Sequence, residues 1–138
     1  VVAAAHAGWR GALRGVTDQT INKMLRAGAK RGNIVAAIGP TISQDSYEVG
    51  EQFRDRFAAS DPATEQFFKP GIEVGKFQFD LTAYVAARLE QAAITQISVS
   101  GRDTYSEETR FFSYRRSVHK GETDYGRALS MIALAPYR

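Results

Sequence analysis

The first 38 residues constrain the fold more than any other stretch. Val1-Val2-Ala3-Ala4-Ala5 is an apolar run that leads into His6-Ala7-Gly8-Trp9-Arg10-Gly11. Residues 12–30 then carry Leu13, Val16, Ile21, Met24 and Leu25, and Ile34-Val35-Ala36-Ala37-Ile38 is a second apolar run stopped by Gly39-Pro40. Apolar side chains recurring every three or four residues share one face of a helix, whereas a short apolar run bounded by turn residues reads as a buried strand. Strand, helix, strand is the unit from which parallel or mixed sheets are built, so the chain is expected to be α/β, a mixed sheet with flanking helices in a single domain.

The remainder continues the pattern. A short helix is expected after Tyr47, with Phe53 and Phe57 on one face, followed by a loop that carries Phe67 and Phe68 past Pro70. Lys76-Phe77-Gln78-Phe79 alternates like a strand, and Asp80 is placed to cap a helix over residues 81–92, where Leu81, Val85 and Leu89 recur every four residues. Asp80 is therefore read as structural. Further strands are expected at residues 97–100, 111–116 and 126–134, with residues 60–64 and 117–125 as flexible connections. In a strand over 111–116 the period of two would point Arg115 and Arg116 to opposite faces.

Ligands of open α/β sheets bind beyond the carboxyl ends of strands, and a turn that opens a helix presents free N–H groups there. The turn at 6–11 is such a place. Gly8 and Gly11 let backbone approach a ligand, Arg10 offers a planar fork of donors for phosphate or carboxylate, and His6 can ligate a metal or move a proton. Each residue alone has a plainer reading: a hydrogen-bonded histidine, a core tryptophan, a solvated arginine. Their concentration in six residues favours a site.

Composition narrows the classes. The 138 residues are 43% apolar, enough to bury a core, and carry 18 Lys and Arg against 15 Asp and Glu, a net charge of +3 that fits anionic partners without demanding them. Cysteine is absent, which rules out disulfides. No apolar stretch approaches the roughly 20 residues that span a bilayer, and residues 1–5 lack the charged flank and length of a signal peptide. A cytoplasmic protein is the expectation, monomeric or weakly homo-oligomeric, with no membrane or nucleic-acid partner.

His-Ala-Gly-Trp-Arg-Gly at 6–11, Ile38-Gly39-Pro40 with Tyr47-Glu48-Val49-Gly50, Asp80-Leu81, and Phe111-Phe112-Ser113-Tyr114-Arg115-Arg116 occur in one order. That ordered set resembles the laccase-domain family, formerly called multicopper polyphenol oxidases, over nearly the whole chain. The resemblance implies a zinc-dependent purine nucleoside phosphorylase that also deaminates adenosine, with nucleoside and phosphate as partners. A role in editing peptidoglycan precursors is attached to some members. The family's zinc ligands resemble a His, Cys, His set in which His6 matches the last and the others lie upstream, so the chain reads as the C-terminal part of a longer protein. Family members often carry Cys-Thr-Tyr where this chain has Asp103-Thr104-Tyr105, which removes any thiol role there.

Phosphorolysis needs a cationic clamp for phosphate, which arginine supplies in bidentate form. Arg10 is the first candidate, with Arg115, Arg116 and Arg127 behind it. Deamination needs a metal-activated water, for which His6 fits as one ligand. His119, the second histidine, lies outside the motifs and reads as a solvated loop residue. Two histidines and no cysteine cannot complete a three-ligand zinc site within this chain alone, and the same count argues against blue-copper chemistry, which needs a cysteine and several histidines. A non-catalytic binding module stays open as an alternative to the phosphorylase and the peptidoglycan hydrolase.

Overall fold

The computed structural model describes residues 1–135. Five helices, α1 (Trp9–Leu13), α2 (Val16–Arg26), α3 (Glu51–Ser60), α4 (Leu81–Gln91) and α5 (Tyr114–His119), accompany five strands among the described residues. Strands β1 (Val35–Ile38) and β5 (Gln96–Val99) form a parallel pair, and β2 (Glu48–Gly50), β4 (Lys76–Phe79) and β3 (Phe68–Pro70) form an antiparallel sheet in the order β2-β4-β3. The mixed α/β architecture is as the sequence predicts.

The antiparallel sheet carries the core. Phe57 of α3 and Phe79 of β4 are fully buried, their ring centroids 4.7 Å apart. Trp9, Tyr47, Phe53, Phe68 and Tyr84 complete an aromatic cluster of tilted and edge-to-face pairs around them, a geometry that adds to the burial itself. Trp9 lies 4.9 Å from Phe53, so its plainer core reading holds. α4 spans both sheets, burying Leu81, Tyr84, Val85 and Leu89. Asp80 caps it as expected, its Oδ1 accepting the Ala83 N–H at 2.8 Å.

Elsewhere the structure departs from the sequence pattern. The single helix expected over 12–30 is two helices, because Gly15 takes a left-handed conformation (φ 78°) that breaks the ladder and turns α2 away from α1. Residues 1–5 and 126–134 form no ladder among the described residues, since no neighbouring strand offers them partners, and the expected strand–helix–strand unit is replaced by β1 pairing with β5. Residues 111–116 are not a strand: Ser113 accepts the Arg116 N–H on its hydroxyl at 3.3 Å and starts α5. Capping outweighs the alternation, and Arg115 and Arg116 sit about 100° apart on a helix instead of on opposite faces. Residues 60–64 are not a flexible loop either. Asp61 caps a 3-10 turn, Pro62–Phe67, by accepting the Ala63 N–H, and Thr64 is buried. Ser117, expected in a flexible stretch, is buried in α5.

Candidate functional site

The turn at 6–11 is built around His6. The α-carbon of Gly8 faces the imidazole so closely that a Cβ there would sit 3.0 Å from His6 Nε2, and one on Gly11 would sit 3.4 Å from the His6 carbonyl. A side chain at Gly8 would press on the ring and require it to give by a few tenths of an ångström, so glycine there leaves room for His6 as it stands. The histidine is exposed. Gly8 is also the N-cap of α1, with extended backbone and no side-chain cap.

Arg10 is exposed, and its guanidinium carbon lies 5.1 Å from the Trp9 ring centroid, a cation–π distance. Arg56 of α3 approaches the same ring at 5.8 Å, a neighbour that sequence spacing gives no reason to expect. Among the described residues neither arginine pairs with a carboxylate within salt-bridge distance.

The other candidate arginines have their donors engaged. Arg116 donates from Nη1 to the carbonyls of Thr104 and Tyr105, both at 2.7 Å, and from Nη2 to that of Phe111. Arg115 donates to the Glu48 carbonyl at 2.6 Å and lies over the Tyr47 ring at 5.1 Å. Burial pushes the Tyr47 phenol above its ordinary pKa, with the Arg115 charge opposing. Arg127 pairs with Asp124 at 3.5 Å and stacks on Tyr125. The structure therefore separates the four: Arg10 presents open donors, while Arg116 and Arg115 hold loops.

His119 ends α5 instead of lying in a loop. It is exposed, as expected, but its Nδ1 is 2.8 Å from the Tyr105 hydroxyl.

Asp103 ties together parts of the chain that sequence reasoning does not connect. Its Oδ1 accepts the N–H groups of Ser43 (3.1 Å) and Tyr105 (2.9 Å), and its Oδ2 accepts the hydroxyls of Ser43 (2.9 Å) and Ser46 (2.6 Å). Burial pushes this carboxyl up, yet the Ser46 hydroxyl, the Tyr105 and Ser43 amides and the Ser106 hydroxyl outweigh burial and hold it well below the usual carboxylate range. The Tyr105 bond is an Asx turn, which an Asp at that position could have announced. The serines, about sixty residues away, give no sequence signal.

No group of three or more metal-ligating side chains converges among the described residues. His6 offers one imidazole, and a zinc ion bound to it would take its remaining ligands from outside these residues. The residues present thus do not hold the metal that the family resemblance implies. No helix of the described residues is long and apolar enough to cross a membrane.

Residues 1–135 match the model of the multi-copper polyphenol oxidoreductase laccase family. The chain belongs to that family. It is 36% identical over 134 residues to a purine nucleoside phosphorylase of Rickettsia conorii, covering 97% of this chain and 55% of the relative. It is 33% identical over 129 residues to adenosine deaminase RL5 from an unknown prokaryotic organism, covering 91% of this chain and 49% of the relative. The solved structure of the YfiH protein of Bacillus licheniformis superposes with a TM-score of 0.75 at 31% identity, over 88% of this chain and 46% of that one. The chain spans about half the length of the relatives it matches.

Proposed function

We propose that this chain contributes part of the site of a purine nucleoside phosphorylase, which cleaves inosine or adenosine with inorganic phosphate, and that the same site deaminates adenosine. The kinship with relatives named for these two activities carries the reading. The turn at 6–11 supports it chemically, because it carries both an exposed histidine and an arginine with open donors.

In phosphorolysis a phosphate oxygen bonds to the anomeric carbon as the bond from that carbon to the purine nitrogen breaks, and the electron pair leaves with the base. Arg10 binds the phosphate in bidentate fashion and sets its attacking oxygen. Arg116 and Arg115 serve indirectly by fixing the loops at 104–111 and 48. A zinc ion held by His6 together with ligands from outside the described residues would supply a Lewis acid and an activated water.

The test is phosphate-dependent release of hypoxanthine from inosine, read beside ammonia release from adenosine. Arg10→Lys is expected to raise KM for phosphate about tenfold while leaving the thermal midpoint nearly unchanged, because a point charge loses the fork. In the full-length protein, His6→Ala is expected to lower zinc content and turnover together. Base release that proceeds equally without phosphate would overturn the phosphorylase reading.

A further inference from the structure

The parallel pair does not end cleanly. The Ser100 N–H donates to the Ile38 carbonyl at 2.9 Å, and the two segments then part at Gly39-Pro40 and Ser100-Gly101. They meet again where the Thr41 N–H donates to Arg102 O at 3.2 Å and the Thr104 N–H to Thr41 O at 2.9 Å, in a parallel bridge of Thr41 with Asp103. Gly101 is left-handed at the parting (φ 65°). Between the parted segments and the first two turns of α4 lies a cleft of about 330 Å³, within the size range of small-molecule pockets.

Two segments that carry the family resemblance but play no part in the turn at 6–11 meet in this cleft, through Gly39 and Asp80, and Arg102 joins them. None of residues 6–11 lines it. Its place, beyond the carboxyl ends of two parallel strands, is where α/β sheets bind ligands. Its walls are fixed in advance. Asp103 ties the segment at 43–46 to the segment at 103–105 through three hydrogen bonds and closes its own segment with a fourth to the Tyr105 N–H, and Arg116 holds the far side of that segment by its carbonyls. Holding two loops rigid around an open space lowers the ordering cost that a ligand must meet.

The lining selects the ligand. Ala83, Ala86 and Val99 offer an apolar surface for a flat ring, and Thr41 and Ser100 offer hydroxyls. Asp80 uses Oδ1 to cap α4, which leaves Oδ2 as an acceptor at the cleft. An anion is disfavoured: the Asp80 carboxylate lines the space, and Arg102 is shared with Glu107 at 3.4 Å. A neutral ligand with a flat apolar face and several hydroxyls fits all of these groups.

We propose that this cleft is a second binding site, for the sugar-and-base body of a nucleoside. The choice of nucleoside rests on the function proposed above, whereas the cleft does not. The experiment titrates adenosine, ribose and adenine separately into the labelled protein and reads backbone amide NMR shifts. Adenosine is expected to move the amides of Thr82, Ser100 and Gly101 saturably, at least about tenfold more tightly than ribose or adenine alone. Ala86→Met, which fills the cleft, is expected to abolish those shifts. Ser100→Ala, a change at an exposed position that leaves the fold intact, is expected to weaken binding about threefold to tenfold through one lost hydrogen bond. His6→Ala should leave the shifts in place.

No saturable shift up to about 10 mM adenosine, shifts confined to residues 6–11, or shifts that survive both cleft variants would each overturn the proposal. Phosphorolysis is assayed independently, so the two readings fail separately. Turnover without cleft shifts overturns only the second site, and cleft shifts without turnover overturn only the phosphorylase.

Discussion

In the antiparallel sheet Phe79 is 0% exposed and Phe57 of the helix packed on it is 0% exposed, whereas in the parallel pair Val35 keeps 63% of its surface in contact with solvent. Both regions are built from short strands with apolar side chains. They differ in where their cover comes from. The strands β2, β3 and β4 lie within one stretch of about thirty residues together with α3, and α4 follows directly, so the sheet and the helices that bury it arrive as neighbours in sequence. The parallel pair joins segments some sixty residues apart, and α4 packs on Ala36, Ile38 and Ile97 but leaves the face bearing Val35 and Gln96 bare. Parallel sheets are ordinarily covered on both faces. One region is finished by local sequence, and the other depends on whatever lies against it.

Mutations can sharpen or break this contrast. Phe57→Ala should cost about 3–5 kcal/mol by denaturant unfolding, because a fully buried ring is removed from a cluster with no room to relax. Arg116→Gln should cost about 1.5–3 kcal/mol, since half-buried carbonyls at 104, 105 and 111 lose a charged donor, and Arg116→Lys should recover little because an ammonium cannot span them.

Asp103→Asn should cost about 1–3 kcal/mol at neutral pH, through hydroxyls and amides that lose a charged acceptor. The sign of its pH dependence follows from the depressed folded-state pKa. Asp103 stabilises the fold fully above the unfolded value near about 4, and that stability drains away as pH falls below it toward the folded value. The gap between wild type and Asp103→Asn should therefore narrow as acid is added, and a gap that widens would refute the assignment.

Much of this was readable from residues alone, and the failures share a cause. The cap at Asp80, the strand at 76–79, the shared face of Phe53 and Phe57 and the core position of Trp9 rest on contacts within a few residues or on simple periodicity. The stretch at 111–116 misled because its alternation suits a strand, while the deciding facts are a serine cap and three carbonyls reached by Arg116. The segments at 1–5 and 126–134 have strand composition, but strands exist only in pairs. The candidates His6, Gly8 and Arg10 were picked out as a group because they lie together in sequence. Asp103 was not, because its partners at 43 and 46 are brought to it only by the fold.

Two smaller effects complete the series. Asp80→Ala should cost about 1 kcal/mol, the usual worth of a helix N-cap, and Asp80→Asn should restore most of it. Val35→Ala should change stability by less than about 0.5 kcal/mol, measured in the same unfolding experiment. A cost at Val35 approaching that at Phe57 would mean that the bare face is covered in solution, and the contrast would disappear.

Trp9 gives the molecule a built-in optical reporter. It is the one tryptophan in the chain, so every photon of indole emission originates at the turn carrying His6 and Arg10. The ring touches the aromatic core on the Phe53 side and is faced by the charges of Arg10 and Arg56. Loosening of the core and a change of charge at the turn therefore both alter the emission, the first by wetting the indole and the second by shifting the field across it. An anion that draws Arg10 away from the ring would announce itself in the spectrum without any label.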